Sequence, residues 1–564
     1  MRRHRHRFVF SVRGLMLLVL IFGGLLGWKA RRASIQRRAV AAILKAGGRL
    51  QYNYEYGVDR RANPNPQPWA PGWLRRAVGD EYFVEVAQVS LLQSPRLDGN
   101  ASLADVASLD RLEELEVIDR KVDDAGLALI ARLPGLKTLK AELGDVTEAG
   151  LDRISRMQYL ESLDLRFSMD LRKTGDFMMH MSRLERLKSL ELDAPETAEA
   201  FDLAPLAGLV RLETLVVSPS PVDGASLTHV RRMNRLEYLY LDRTTPGDAD
   251  MEHLAGLSEL KGVGFDGSRL TDAGLAHLGR LRRLTRIPSL PGRFTDVGFA
   301  HLAGLVGLES LKLRNAEPTD AGLAHLRGMT RLVVLDLRSA RAGDDGPGHL
   351  AGLARLWDLN LGTAAPLADG ALTPLAGLSQ LENLILNGPG PTDSGLADLD
   401  GPPGLYELGL RGSSVRGPGL VHLASLTKLR RLDLSGSSIT DAGLVYLMRL
   451  PGPLDVDLSR TAVTDAGLAL LKGATNLDAI ELDRTAVTDE SLVWLATMPN
   501  LREVSLDGTA VTDLGLEVMR ERGPKLNGLS VRGTQVSQGA ADALLASGTS
   551  RVEIGPIPPD ADPD

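Results

Sequence analysis

Histidines recur at one position of a repeating sequence, and imidazole is the side chain most used to bind transition metals and transfer protons near neutral pH. Six follow each other at intervals of 24 residues and a seventh repeats the position later: His229, His253, His277, His301, His325, His349 and His422. Each precedes a Leu or Val in a segment with helical spacing. Neighbouring helices have axes about 8–10 Å apart, whereas zinc holds each nitrogen at about 2.0–2.1 Å. We therefore interpret the histidines as copies of a duplicated Ala-His-Leu segment and predict no metal site.

The remaining polar residues do not have the types and spacing of a catalytic site. The chain has no Cys, which excludes disulfides, thiolate metal sites and a Cys nucleophile. It also lacks G-x-x-x-x-G-K-[ST], H-E-x-x-H and G-x-S-x-G motifs and a dinucleotide fingerprint. Acid pairs such as Asp123-Asp124 stand at predicted helix starts, where capping explains them. The sequence predicts a protein that is not an enzyme, with no cofactor and no small-molecule substrate.

Most of these residues belong to a repeated unit that occurs eighteen times. One copy reads LRRLDLSGSSITDAGLVYLMRL from Leu429 to Leu450. The copies follow each other at 24 residues, occasionally 25 and once 27, and they start at Leu112, Leu136, Leu160, Leu187, Leu212, Leu236, Leu260, Leu284, Leu308, Leu332, Leu356, Leu381, Leu405, Leu429, Pro453, Leu477, Leu501 and Leu526. A repeat of this length indicates a solenoid of stacked units.

Each position of the repeat has a physical role. In L-x-x-L-x-L the last two leucines are two residues apart, so both point to one face of a short strand. Thr or Ser at the ninth position closes the strand through local hydrogen bonds. The Thr-Asp step supplies a helix N-cap and an acid beside the positive helix end. The helix begins near Gly443 in the copy above, and Leu447 and Leu450 fill one stripe that only stacked neighbours can bury.

This pattern resembles the leucine-rich-repeat family, in the variant L-x-x-L-x-L-x-x-T-x-V-T-D-x-G-L of bacterial membrane-anchored proteins. It is also similar to the repeats of F-box-type ubiquitin-ligase receptors. The resemblance covers about residues 82–555. It implies an α/β solenoid with a curved parallel β-sheet on the concave side and helices on the convex side. Where many members of the family have Asn or Cys at the ninth position, this chain has Thr or Ser, and some middle copies have Ala or Pro.

The N-terminal segment differs in charge from the rest of the chain. Residues 1–49 contain twelve Lys or Arg and no acid, which leaves 53 basic and 72 acidic residues, a net charge of −19, elsewhere. A nucleic-acid-binding protein would have its basic residues on the folded domain, so that class is excluded. The basic residues flank an apolar run at 8–28, and its 21 residues span about 30 Å as a helix, the thickness of a bilayer core.

We predict that this run is an uncleaved signal-anchor that crosses the membrane once. The alternative is a cleaved signal peptide, but Trp28 and Lys29 replace the small residues that a cleavage site requires. Basic residues on both sides of the run leave open on which side of the membrane the repeats lie. The predicted organisation is a basic tail at 1–7, a transmembrane helix at 8–28, a basic juxtamembrane segment with a Pro-rich linker and N-terminal cap at 29–81, repeats at 82–555 and a disordered acidic tail at 556–564.

Aromatic residues concentrate in two regions. Trp69, Trp73, Tyr82 and Phe83 precede the first repeats, and we interpret them as a hydrophobic plug over the end of the solenoid. The second region is the concave strand face, where repeat proteins bind partners and where Tyr and Trp are typical hot-spot residues. The candidate partner-binding residues are Tyr238, Tyr240, Trp357, Asp358, Asn360, Tyr406 and Glu407.

These features favour a membrane-anchored recognition scaffold that binds a protein or peptide, or else a glycan, through the concave face. Two alternatives stay open. One is a structural envelope protein without a dedicated ligand. The other is a substrate-recognition adaptor like the ubiquitin-ligase receptors, which depends on the repeat resemblance alone.

Overall fold

The computed structural model forms two compact units, Met1–Thr244 and Thr245–Asp564. The structure describes residues 12–55, 66, 68, 70–91, 99–167, 174–193, 201–218, 222, 224–399 and 401–557. The predicted tail at 1–7, the start of the predicted membrane span at 8–11, Trp69 and residues 558–564 lie outside these ranges.

The first unit consists of a parallel β-sheet with short helices between successive strands. Its strands are β1 Arg49–Tyr52, β2 Val86–Leu91, β3 Glu114–Val122, β4 Thr138–Leu143, β5 Ser162–Phe167, β6 Ser189–Asp193, β7 Thr214–Ser218 and β8 Tyr238–Leu241. Its α-helices are α1 Val12–Lys45, α2 Gly72–Val78, α3 Gly99–Val106, α4 Asp124–Ile130, α5 Glu148–Ser155 and α6 Thr174–Met181. Short 3₁₀ helices lie at Asn53–Glu55, Asp80–Tyr82, Ala204–Gly208 and Gly224–Arg232. Strands β2 to β8 pair in parallel in chain order.

The N-terminal end of this sheet is covered by the second half of α1 and by β1. Ala33, Ala39 and Ile43 are buried at helical spacing, and the amide of Gln36 donates to the carbonyl of Val84 at 2.9 Å. Strand β1 adds to β2 in antiparallel orientation. Trp73, which we expected in a hydrophobic plug, is 66% exposed. The plug prediction is therefore wrong for Trp73, because small side chains of α1 occupy the end of the core.

The first half of α1 has no such contacts. The side chains described between Met16 and Trp28 are exposed and include eight large apolar residues besides Trp28: Met16, Leu17, Val19, Leu20, Ile21, Phe22, Leu25 and Leu26. The predicted membrane span thus falls, from residue 12 onwards, on the N-terminal half of a helix whose C-terminal half belongs to the cap. Within the described ranges, no helix combines the length and the apolar character that crossing a membrane requires.

The second unit repeats the strand–helix alternation in shorter elements. Its strands are β9 Gly262–Gly264, β10 Leu270–Thr271, β11 Arg286–Ile287, β12 Gly292–Arg293, β13 Ser310–Lys312, β14 Val334–Ala342, β15 Asp358–Thr363, β16 Asn383–Asn387, β17 Glu407–Gly409, β18 Arg431–Asp433, β19 Leu454–Asp457, β20 Leu477–Glu481, β21 Glu503–Ser505, β22 Gly528–Ser530 and β23 Val552–Glu553. Its α-helices are α7 Asp272–Leu278, α8 Asp296–Leu302, α9 Asp320–Leu323, α10 Gly346–Leu350, α11 Asp465–Leu470, α12 Asp489–Leu495, α13 Asp513–Arg522 and α14 Gln538–Ala546. Between these, 3₁₀ helices occupy Asp248–Leu254, Ala324–Leu326, Thr373–Gly377, Gly395–Leu399, Pro418–Ser425 and Asp441–Arg449.

The strand register follows the leucine pattern. Leu408 of β17 pairs with Leu432 of β18, which pairs with Val456 of β19. Leu432 and Leu434 are 1% and 0% exposed, whereas Arg431 is exposed. Because these buried side chains pair from one repeat to the next, the repeats share one continuous core within the unit. Each buried aliphatic side chain contributes about 1.5–3 kcal/mol to its stability.

One repeat differs from the sequence assignment. Leu454 rather than Pro453 pairs with Leu477, and the register shifts after Leu454. Leu454 is fully buried while Pro453 is exposed. The hydrophobic side chain thus takes the first position of the repeat, and a bulge absorbs the extra residue.

Aspartates of the Thr-Asp step join many of the repeats to the next one. Asp272 accepts hydrogen bonds from the backbone N–H of Thr295 at 2.8 Å and from its hydroxyl at 2.6 Å. Thr295 in turn caps α8, because its hydroxyl accepts from the N–H of Val297. The same clamp joins Asp465 to Thr488 and Asp489 to Thr512. Each of these aspartates is the first residue of the helix in its own repeat. It also fixes the N-cap residue of the helix in the following repeat.

Candidate functional site

The side chains between the buried strand leucines point away from the core, and we call this side of each unit the outer sheet face. In β7 and β8 of the first unit, burial alternates residue by residue. Strand neighbours on this face lie about 4.8 Å apart. A partner that lies across several strands would therefore contact one side chain from each repeat.

In the second unit, two exposed aromatic residues each come directly before the outer-face residue that begins a strand. Tyr406 donates its N–H to the carbonyl of Glu382, and Glu382 donates its N–H to the carbonyl of Trp357. The three residues thus lie in one row directly before β15, β16 and β17, with the two aromatic residues on either side of Glu382. Trp357 is 41% exposed and Tyr406 44% exposed. We call Trp357, Glu382 and Tyr406 the aromatic row.

The other candidate partner-binding residues of the second unit come one or more positions after the residues of the aromatic row in the chain. Asp358 and Glu407 lie half-buried on β15 and β17, and each pairs in register with Asn383 of β16, which lies between them. Burial, opposed by Lys312, raises the pKa of Asp358 above its ordinary value. Asn360 is only 8% exposed, and its side-chain oxygen accepts a hydrogen bond from Asn387 at 3.1 Å.

In the first unit, Tyr238 and Tyr240 occupy alternate positions of β8 and share the outer face. Their ring centroids are 6.3 Å apart at an interplanar angle of 30°. Both are half-buried, with Leu239 and Leu241 fully buried on the other side. Two tilted rings offer a flat apolar contact with polar hydroxyl ends, the type of surface enriched at binding sites.

The histidines lie on the helical segments and not on the strands. His301 and His325 are exposed, and Arg327 donates to Nδ1 of His349 at 3.1 Å. Among the residues that the structure describes, no group of three or more His, Asp or Glu could hold a metal ion.

A groove on the outer face near the C-terminus was missed by the sequence reasoning. Asp433, Asp457 and Glu481 stand in direct register on three successive strands. They line a groove of about 350 Å³ that Asp483 and Asp507 extend. Arg411, Arg460 and Arg484 also line it, and Ile557 lies against Gly508 and Gly533 at its edge. The signal was present in the sequence, because the three acids share the fifth position of consecutive repeats.

Crowding of these acids changes their protonation. Desolvation in the groove, together with repulsion from Asp457 and Asp483, raises the pKa of Glu481 to about 7. Burial likewise raises the pKa of Asp457 and of Asp483. Like charges on neighbouring strands repel each other, so a cationic group of a partner in this groove would be stabilised.

Residues 425–448 match the family described as Leucine Rich repeat, and the strand–helix unit there recurs in register throughout the described repeats. The chain is a leucine-rich-repeat protein. Comparison with curated protein sequences gives no match.

Solved structures similar to this leucine-rich-repeat protein include a plant peptide hormone receptor, RGFR1, in complex with RGF2. The identity is 17%, with 80% of this chain and 76% of that one covered, at a TM-score of 0.45. An internalin from Listeria monocytogenes is 17% identical over 66% of this chain and 87% of that one, at a TM-score of 0.39. A leucine-rich-repeat protein from Leptospira interrogans is 18% identical over 82% and 100%, at a TM-score of 0.39. These identities and TM-scores are too low to transfer a ligand to this chain.

Proposed function

We propose that this leucine-rich-repeat protein is a membrane-anchored recognition scaffold that binds a protein or peptide through its outer sheet face. The observation that carries the proposal is the aromatic row, where two large aromatic side chains on either side of Glu382 stay more than 40% exposed. Interface hot spots are enriched in Trp and Tyr because these side chains bury a large area at little entropic cost. The proposed function includes no catalytic step.

The acidic groove supports a partner with basic side chains. Asp433, Asp457 and Glu481 present three carboxylates in one row, and the nearby arginines leave the groove with more acids than bases. Charge complementarity of this kind steers association and rejects acidic competitors. We therefore expect a basic peptide or protein segment rather than a neutral glycan.

The anchoring part of the proposal depends on α1. Exposed apolar side chains between Met16 and Trp28 would cost about 25 cal/mol per Å² in water, and a bilayer would remove that cost. The helix continues without a break to Lys45 and packs on the repeats from Ala33 onwards. A membrane-inserted half would therefore be joined to the repeats by a rigid helix and not by a flexible linker.

Site-specific photo-crosslinking tests the recognition surface. A benzoylphenylalanine at position 406 is expected to form discrete adducts in intact cells, while the same residue at position 325, on the helical side, forms none. Adding Trp357→Ala to the position-406 variant should reduce the adduct, because it removes the other aromatic contact of the row. Equal adducts from positions 406 and 325 would refute the proposed surface, and failure of both to form adducts would favour a structural envelope protein.

Removal of residues 1–28 tests the anchor. The full chain should stay in the membrane pellet after alkaline carbonate extraction, and the shortened chain should become soluble with its melting temperature retained. The deletion must stop there because Ala33 and Gln36 belong to the cap. A matched variant with Trp73→Ser, which removes an exposed aromatic outside α1, should leave the full chain in the pellet. Release of the full chain by carbonate would refute anchoring.

A further inference from the structure

A cavity of about 330 Å³ lies between α1 and the first repeat. Trp28, Ile35 and Leu109 contribute apolar walls, and Arg31, Arg32 and Arg111 contribute guanidinium groups. Neither the aromatic row nor the acidic groove includes any of these residues. The cavity therefore needs its own explanation.

Two of the three arginines are free to bind a ligand. Arg32 is engaged, because it contacts Asp110 at 2.9 Å and Glu85 at 3.3 Å and lies over the Trp28 ring at 5.5 Å. Arg31 and Arg111 are exposed, and neither has a carboxylate partner in the part of the chain that the structure describes. Arg32 is shared between Asp110 and Glu85, so three guanidinium groups stand against two carboxylates and the cavity keeps a net positive charge.

The position of the cavity along α1 suggests the source of its ligand. The continuous run of exposed apolar side chains on the helix ends at Trp28, which is also a wall of the cavity. Trp is enriched at the boundary between hydrocarbon and head groups. Arg31 lies three residues further on, about 4.5 Å along the helix axis. If the apolar half lies in a bilayer, the cavity faces the phosphate layer of the adjacent leaflet.

We propose that this cavity binds the phosphodiester head group of an anionic phospholipid from that leaflet. Arg31 and Arg111 contact the phosphate oxygens, which guanidinium groups match in charge and geometry. Trp28, Ile35 and Leu109 cover the glycerol and the first methylenes of the acyl chains. The inference rests on the proposed anchoring, and it adds that the lipid class determines how firmly the cap is held at the membrane surface.

The test uses the full chain purified in a neutral detergent and titrated calorimetrically with dihexanoyl-phosphatidylglycerol. The comparison ligands are dihexanoyl-phosphatidylcholine and glycerol 3-phosphate, which separate a lipid head group from a free phosphate. The variant Arg31→Gln/Arg111→Gln removes both proposed phosphate contacts. The matched control is Arg38→Gln/Lys45→Gln, which removes the same charge from exposed positions of α1 that do not line the cavity.

We expect phosphatidylglycerol to bind at least tenfold more tightly than either comparison ligand. The cavity variant should lose at least tenfold in affinity and the control variant less than twofold, with melting temperatures equal to that of the unmodified chain. Arg31→Lys/Arg111→Lys should retain most of the binding because it keeps both charges. Equal affinity for phosphatidylcholine, equal affinity for glycerol 3-phosphate, or equal losses in the cavity and control variants would overturn the inference.

Carbonate extraction of the same preparations separates this inference from the anchoring. A chain that resists extraction but does not prefer phosphatidylglycerol contradicts the lipid site alone. A chain that carbonate releases from membranes contradicts the anchoring itself.

Discussion

Replacing Asp465 by Asn tests the clamp between repeats. Oδ1 of Asp465 accepts the backbone N–H of Thr488 at 2.9 Å, and Oδ2 accepts its hydroxyl at 2.7 Å. The hydroxyl of Ser491 donates to Oδ1 as well. Burial opposes ionisation of this carboxyl, but the hydrogen bonds from Ser491 and Thr488 outweigh it and hold its pKa below the ordinary value. The contacts therefore favour the charged form, which the amide cannot supply.

The expected loss follows from these contacts. Hydrogen bonds to a charged group contribute about 1.5–3 kcal/mol each. An Asn keeps one acceptor oxygen but turns an N–H₂ toward one of the donors, so at least one bond is lost and another weakened. We expect the free energy of unfolding to fall by roughly 2–3 kcal/mol, measured by urea titration followed by circular dichroism. Amide exchange at Thr488 should accelerate, because its N–H loses a strong acceptor.

The matched control is Asp478→Asn on β20, the strand that follows α11. Asp478 pairs with Arg502 at 3.4 Å on the surface, and such pairs contribute about 0–1 kcal/mol. If the Asp465 and Asp478 variants lose the same free energy of unfolding, the carboxylate at 465 contributes only to its own helix and the clamp account is refuted.

The strand register and the charged groove give two more predictions. Leu434→Asp should reduce the free energy of unfolding by about 4 kcal/mol or more because it buries an unpaired charge, whereas Arg431→Asp should cost about 1 kcal/mol or less; equal losses in thermal melts would contradict the register. Glu481 has a folded-state pKa of about 7 against 4.5 unfolded. The stability that the protonated side chain contributes to the fold is therefore fully present below about pH 4.5, and it is lost as the side chain ionises through pH 7. Glu481→Gln should therefore raise the free energy of unfolding at pH 8, by on the order of 1 kcal/mol after solvent screening, with a difference that disappears by pH 4.5; a gain that is the same at both pH values would contradict the repulsion.

The repeating leucines were sufficient to predict the strands, because burial of Leu432 and Leu434 leaves a single register. The clamp could not be predicted from one repeat. Asp465 is a good capping residue by itself, and only the stacking of two repeats brings its carboxylate to Thr488, 23 residues later. Local sequence rules describe contacts within one turn, whereas this bond depends on the distance between turns.

The cap and the candidate site differ in how far sequence reasoning reached. The large aromatic side chain of Trp73 favoured the prediction of a plug, but Ala33 and Ala39 are the residues buried at the end of the core. Small residues at helical spacing give only a weak hydrophobic pattern in the sequence. For the site, residue type identified Trp357 and Tyr406, while the backbone hydrogen bonds through Glu382 were needed to join them in one row.

The affinity of the crosslinked partner for Trp357→Ala, compared with His301→Ala, tests the recognition surface most directly. Truncating a central aromatic anchor costs about 2 kcal/mol, or roughly thirtyfold in affinity, and we expect that loss for Trp357→Ala at an unchanged melting temperature. His301→Ala, on the helical side, should bind as the unmodified chain does. Loss of binding in the histidine variant with full affinity in the tryptophan variant would show that the partner binds the opposite side.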